Sequence, residues 1–108
     1  MNRGEIWTVA GGVYATKPRP AVIIQDDLFA ATSSVTVAPM TSTLLDAPLI
    51  RIRIGAGRLS GLDHDSDVMV DKLTTVRRSN IHARVGRLNA EQLVMTERAL
   101  MAFLGLAS

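Results

Sequence analysis

The hexapeptide LIRIRI, residues 49–54, alternates apolar and charged side chains from Ile50 onward, a pattern that one regular conformation satisfies. In an extended strand, successive side chains point to opposite faces, so Ile50, Ile52 and Ile54 turn to a core while Arg51 and Arg53 turn away from it. A helix would scatter the same isoleucines around its circumference. A strand buried on one face needs neighbours for its backbone donors and acceptors, and the rest of the chain has to supply them.

Several short segments can do so. GEIWTV, residues 4–9, reads as a strand with Ile6 and Trp7 on opposite faces, ended by Gly11 and Gly12. Pro20 to Gln25 reads as a buried strand, with the proline confined to its start because it lacks a ladder donor. In SVTVA, residues 34–38, Val35 and Val37 alternate with smaller polar residues, and Pro39 ends regular pairing just before Met40-Thr41-Ser42. The glycine- and aspartate-rich residues 55–67 read as turns; Val68–Val70 resumes a strand, and residues 71–81 pass from it into a short turn or helix.

Only the last segment has helical periodicity. Asn89 can cap it and Gln92 stands where a capping box needs it, while Leu93, Val94, Leu100, Met101 and Leu104 form an apolar stripe, with Gly105 as a stop. Short strands followed by one terminal helix predict a mainly β protein: a small, strongly curved barrel or half-barrel with the helix packed against it. The 108 residues and their 47% hydrophobic content suit one domain spanning residues 1–108.

The same composition closes off several functions. There is no cysteine, hence no disulfide, thiolate metal site or cysteine nucleophile, which suits a reducing cytoplasm. No apolar stretch approaches the roughly 20 residues needed to cross a bilayer, so no membrane association is expected. Gly11-Gly12 and GAGRLSG lack the spacing of nucleotide-binding loops. His64 and His82 are not spaced as metal ligands, and neither metal nor cofactor is implied. The net charge of +2 makes a strong overall field unnecessary, so a nucleic-acid site would be local. Its candidate cations are Lys17 with Arg19, Arg51 with Arg53, and Lys72 with Arg77 and Arg78, opposed in part by Asp63, Asp65, Asp67 and Asp71.

The distinctive chemistry is an arginine between two prolines at the entry to one strand, Pro18-Arg19-Pro20, and hydroxyls at the exit of another, Thr41 and Ser42. A guanidinium holds phosphate oxygens in a fixed fork of donors and stabilises developing negative charge. RNA supplies its own nucleophile, the 2′-hydroxyl, so a protein with this inventory can cleave the backbone by alignment and electrostatics. A barrel that binds nucleic acid without cutting it, or a module that inhibits a protein target, fits the same residues.

Four ordered segments, GEIWTV, KPRPAVIIQDD at 17–27, VAPMTS at 37–42 and VMVDKLTTVRRSNI at 68–81, resemble the MazF/PemK toxin family. The resemblance implies an SH3-like, CcdB-like curved barrel with a C-terminal helix, acting in the cytoplasm of a prokaryote as a homodimer restrained by a cognate antitoxin. It implies metal-independent, sequence-selective cleavage of single-stranded RNA, mRNA or tRNA, without a cofactor. By that likeness Arg19 and Thr41 match the family's catalytic arginine and threonine. Asp71 matches a catalytic aspartate of one subgroup, although Met69 stands where that subgroup has a companion arginine. Lys17, Ser42, Arg77 and Tyr14 become RNA-contact candidates, Tyr14 by stacking on a base.

Overall fold

The computed structural model describes residues 1–11 and 15–107, apart from the side chains of residues 15 and 16. Its strands are β1 (Glu5–Gly11), β2 (Ala15–Ile23), β3 (Ser34–Thr41), β4 (Arg51–Ile54), β5 (Ser66–Met69), β6 (Thr74–Arg77) and β7 (Ile81–Arg87), followed by the helix α1 (Ala90–Phe103). They form one seven-stranded sheet in the order β4-β5-β3-β2-β1-β7, with β6 also paired to β3 and every pairing antiparallel. The expected mainly β architecture with a terminal helix is borne out.

β3 organises the sheet because it changes partners along its length. One edge runs beside β2 through Ile23↔Val37 to Ala21↔Pro39. The other pairs Ser34–Val37 with β6, then Met40 and Thr41 with β5. The Ile24 amide donates to the Thr36 carbonyl at 3.1 Å, so even-numbered residues of β3 bond toward β2 and odd-numbered ones toward β5 and β6. Pro39 is odd-numbered, and it falls between the last β6 pair and the first β5 pair. Its missing donor therefore interrupts no ladder, and the strand continues to Thr41 rather than ending near Ala38.

The prolines of β2 follow the same logic with a different result. The Gly4 amide donates to the Ile23 carbonyl at 2.9 Å, so odd-numbered residues of β2 bond toward β1 and even-numbered ones toward β3. Pro18 and Pro20 both lack the donor that would face β3, and pairing with β3 stops at Ala21. Pairing with β1 continues through Val9↔Arg19. Alternating prolines thus part β2 from β3 while keeping β2 attached on its other side.

Both faces of the sheet are buried. Ile6, Val22, Ala38, Met40, Ile52, Ile54, Val68 and Val70 meet Leu88 and Leu100 in the larger cluster. Val9, Ala21, Ile23, Val35, Val37 and Val76 form the smaller one, flanked by Met1, Trp7 and Ile81. This explains the unbroken apolar run Ala21-Val22-Ile23: neighbouring residues enter different cores. Both bonds of the capping box at α1 form, Gln92 N–H to Asn89 Oδ1 at 2.7 Å and Asn89 N–H to Gln92 Oε1 at 2.9 Å. Gly105, at φ +73°, ends the helix. Its inward stripe is Thr96 and Leu100, buried, with Leu93 and Ala99 half-buried against the core; Val94, Met101 and Leu104 of the expected stripe are exposed.

The segment after residue 65 departs most from expectation. The strand is Ser66–Met69, Val70–Lys72 is a 3₁₀ turn, and the expected turn or helix contains β6 before a second 3₁₀ turn at Arg78–Asn80. β7, IHARVGR, has few apolar residues because it is the edge strand beyond β1, with much of its surface facing water. No helix among the described residues is long and apolar enough to cross a membrane.

Candidate active site

Where β2 and β3 part, the sheet opens into a concavity of about 270 Å³. Arg19 and Pro20 come from β2, Met40, Thr41 and Ser42 from the exit of β3, and Thr8 from β1. The loop between β4 and β5 adds Gly61 to His64, and Ser66 and Val85 complete the lining. The third wall is pressed close to β7: a Cβ on Gly61, at φ +71°, would lie 1.9 Å from the Val85 carbonyl oxygen, and one on Gly86 2.2 Å from that of Ser60. Only glycine fits either position.

The lining groups differ in what they leave free. Thr8 Oγ1 accepts the Ala83 amide at 3.1 Å, and Ser66 Oγ donates to the His64 carbonyl at 2.9 Å, so both are committed to holding the wall. Thr41 Oγ1 accepts the Thr43 amide at 3.1 Å, which orients the oxygen and leaves its proton to donate elsewhere. Arg19 is exposed, and among the described residues no carboxylate pairs with it. A guanidinium with free donors, an oriented hydroxyl and the exposed Ser42 converge on one opening suited to an anion.

The other expected site residues lie elsewhere. Lys17 is exposed on β2, on the same face as Arg19 but outside the lining. Arg77 pairs in register with Ser34, at the opposite end of β3 from Thr41, which at about 3.3 Å per residue puts it roughly 20 Å away. Asp71 is bound in an ion pair with Arg51, which also donates to the Ile50 carbonyl, and does not line the concavity. Tyr14 lies outside the described residues.

Two features escape a reading of the sequence. His64, in the aspartate-rich loop, lines the concavity with Asp63. Asp67 is 1% exposed and is held by Arg53 Nε at 2.6 Å and the Leu45 amide at 2.9 Å. Burial works against its charge, but the hydrogen bonds from Arg53 and Leu45 outweigh it and hold the carboxyl below its ordinary range, while the Arg53 guanidinium is raised in turn. Arg51 and Arg53, candidate phosphate ligands by type, are thus both engaged with carboxylates. Beyond Val85, which borders both, a second concavity is lined by Arg58, Arg84 and Arg87. Among the described residues, no group of three or more histidines and carboxylates is placed to hold a metal ion.

Comparison with known proteins identifies the family. The chain is 55% identical over 108 residues to the "Probable endoribonuclease MazF" of Mycolicibacterium smegmatis, covering 99% of each chain. Its fold superposes on the Mycobacterium tuberculosis toxin MazF-mt6 with a TM-score of 0.82 at 24% identity, over 96% of this chain and 99% of that one. An endoribonuclease in complex with its cognate antitoxin, from a mycobacterial species, matches with a TM-score of 0.80 at 18% identity, over 100% of this chain and 98% of that one. Residues 2–104 match the family described as PemK-like, MazF-like toxin of type II toxin–antitoxin system, and the chain belongs to that family.

Proposed function

We propose that this protein is an endoribonuclease toxin that cuts single-stranded RNA at the concavity between β2 and β3. The observation that carries the reading is the meeting of Arg19 and Thr41, 22 positions apart in sequence, at a gap in the sheet that Pro18 and Pro20 create. The 2′-oxygen of the substrate attacks the adjacent phosphorus; its bond to phosphorus forms as the bond from phosphorus to the 5′-oxygen breaks. The 2′-proton leaves to a base and the departing 5′-oxygen takes up a proton, giving a 2′,3′-cyclic phosphate and a 5′-hydroxyl. Arg19 grips the non-bridging oxygens as their charge grows, and Thr41 donates a hydrogen bond to the same group. His64 is our candidate for proton transfer, since it lines the same opening as Arg19 and Thr41 and an imidazole nitrogen can either donate or accept a hydrogen bond.

Asp71 has no part in this scheme, because its carboxylate is held by Arg51 away from the opening. Ser42 and Lys17 contact the RNA backbone next to the scissile phosphate, while Arg58 and Arg87 hold phosphates further along, past Val85, beside Arg84, whose guanidinium pairs with Glu5. Arg77 is too distant for the same strand of RNA to meet it near the cut. The reading includes a homodimer, a cognate antitoxin that restrains the toxin, and a prokaryotic cytoplasm. An apolar concavity of about 480 Å³ between Pro48–Ile50 and α1, where Leu49 is 81% and Phe103 48% exposed, supports a protein partner on that side.

The test is incubation of the purified protein with a diverse RNA pool in chelator, with mapping of both new ends. Cyclic phosphate and 5′-hydroxyl ends are expected, with Arg19→Ala lowering the single-turnover rate by about 10²–10³-fold, the usual loss when one transition-state donor is removed. An intact pool that the folded protein nevertheless binds would replace cleavage by binding alone.

A further inference from the structure

We infer that Asp67, held by Arg53, is the positioning residue that sets the Thr41–Leu45 turn against Arg19. The inference rests on the reading of this concavity as the cleavage site. Thr41 is opposite Asp67 in the β3–β5 register, and Asp67 is opposite Arg53 in the β5–β4 register. Directly opposed residues of antiparallel strands share a face, so the three side chains form one row across the strands, on the face turned from Met40, Val68 and Ile52. The chain turns as it leaves Thr41, and the turn is pinned twice. Its Thr43 amide bonds to Thr41 Oγ1 at 3.1 Å, and its Leu45 amide bonds to Asp67 Oδ2 at 2.9 Å.

The other carboxylate oxygen of Asp67 takes the Arg53 Nε donor at 2.6 Å. One buried anion therefore links the turn that carries Ser42 to the neighbouring strand. Without it, Leu45 loses its acceptor and the chain beyond Thr41 is free to swing, taking Ser42 with it and loosening the Thr43 bond that orients Thr41 Oγ1. A buried charge is an unusual means of holding a turn, since its desolvation has to be offset by its partners. Two oxygens with fixed directions define both an angle and a distance, which apolar packing does not. The charged groups that act on this pair are Arg53 and Arg51, both on β4, toward Asp67, and Asp65 just before β5 and Asp46 in the loop beyond the turn toward Arg53.

Asp67→Asn keeps the volume but presents an amide to Arg53 or to the Leu45 N–H, so one bond is lost. The expected result is a fall in kcat on the order of 30- to 100-fold, as misplacement of a reacting group by about an ångström produces, with affinity for a 2′-deoxy, uncleavable RNA within about two-fold. Amide exchange at Leu45 should accelerate in the same protein. A second variant, Arg53→Ala, leaves the carboxylate buried without its main partner; its cleavage rate should then fall more steeply toward weakly acid pH than that of the wild type, and Arg53→Ala/Asp67→Asn should lose that added fall.

Unchanged kcat together with unchanged Leu45 exchange in Asp67→Asn overturns the inference, as does an Arg53→Ala profile that parallels the wild type. If the wild type cuts no RNA, the proposed function fails instead, and exchange at Leu45 still decides whether Asp67 holds the turn. A loss of activity explained wholly by a smaller folded fraction, with the rate per folded molecule unchanged, also overturns it.

Discussion

The two ends of β3 are the same strand put to different uses. At Ser34–Val37 it is paired on one edge with β6, while Val35 and Val37, 1% and 0% exposed, fill the smaller core. At Met40 and Thr41 it keeps only β5; β2 has turned away behind two prolines, and Thr41 faces an opening rather than a core. Between Val37, paired to β2 on one edge and β6 on the other, and Thr41 the strand passes into a polar gap, so the candidate site is made by subtracting pairing from one edge of the sheet.

The comparison can be broken from either side. Arg19→Ala removes an exposed group without cavity or lost ladder bond, so its effect should fall on cleavage, on the order of 10²–10³-fold or about 3–4 kcal/mol of transition-state energy. Its unfolding free energy should stay within about 0.5 kcal/mol, as urea titration would show. Ile23→Ala, opposite Val37 in the paired region and 2% exposed, should behave in reverse. Its loss is about 2–5 kcal/mol of stability with little change in rate per folded molecule.

Pro20→Ala tests the gap itself. It returns a donor to the edge of β2 that faces β3, allowing the ladder to extend toward Arg19. A recovered hydrogen bond contributes about 1 kcal/mol and the lost rigidity of proline in the unfolded chain costs about as much, so stability should barely move. Cleavage should fall about ten-fold as the opening narrows, since a small displacement of aligned groups suffices for that loss. Protection from exchange of the amide that the substitution introduces would report the closure directly.

The smallest effect concerns pH. Burial raises the Glu5 carboxyl, but bonds from the Asn2 amide and Trp7 and the charge of Arg84 outweigh it, so Glu5 is held below its ordinary range; Asp67 is held low by Arg53 and Leu45. A carboxyl with a lowered folded pKa contributes stability above its unfolded pKa and loses it as pH falls through the folded value. The wild type should therefore weaken below about pH 4, and Glu5→Gln should remove a minor part of that dependence. Thermal melts between pH 3 and 7 would separate the two proteins, because only the wild type keeps the Glu5 contribution.

Local chemistry was legible where it is self-contained. Asn89 and Gln92 bond to each other's backbone, so their capping box could be read before the helix was seen. Ile52 and Ile54 entered the core as their period-two pattern requires, at 4% and 0% exposure. β7 was not legible, because a polar edge strand carries little alternation. Pro39 hid the end of β3, since its missing donor is harmless only where β3 exchanges partners. Val94 and Met101 passed for core positions because a helical stripe shows its period but not how wide a face the sheet will cover.

By itself the sequence determined that this chain is mainly β with a terminal helix, that Arg19 stands in a proline frame, and that hydroxyls follow the third strand. Those properties depend on residues near one another along the chain. Only the tertiary structure decided that Arg19 meets Thr41, that Asp71 is taken up by Arg51, and that Asp67, one of four aspartates in a short stretch, is the one buried beneath the turn. Strand register makes those choices: shifting a pairing by one residue reverses the face on which each side chain lies. The pairing of β3 with β5, and of β5 with β4, joins segments whose separate patterns carry no record of one another.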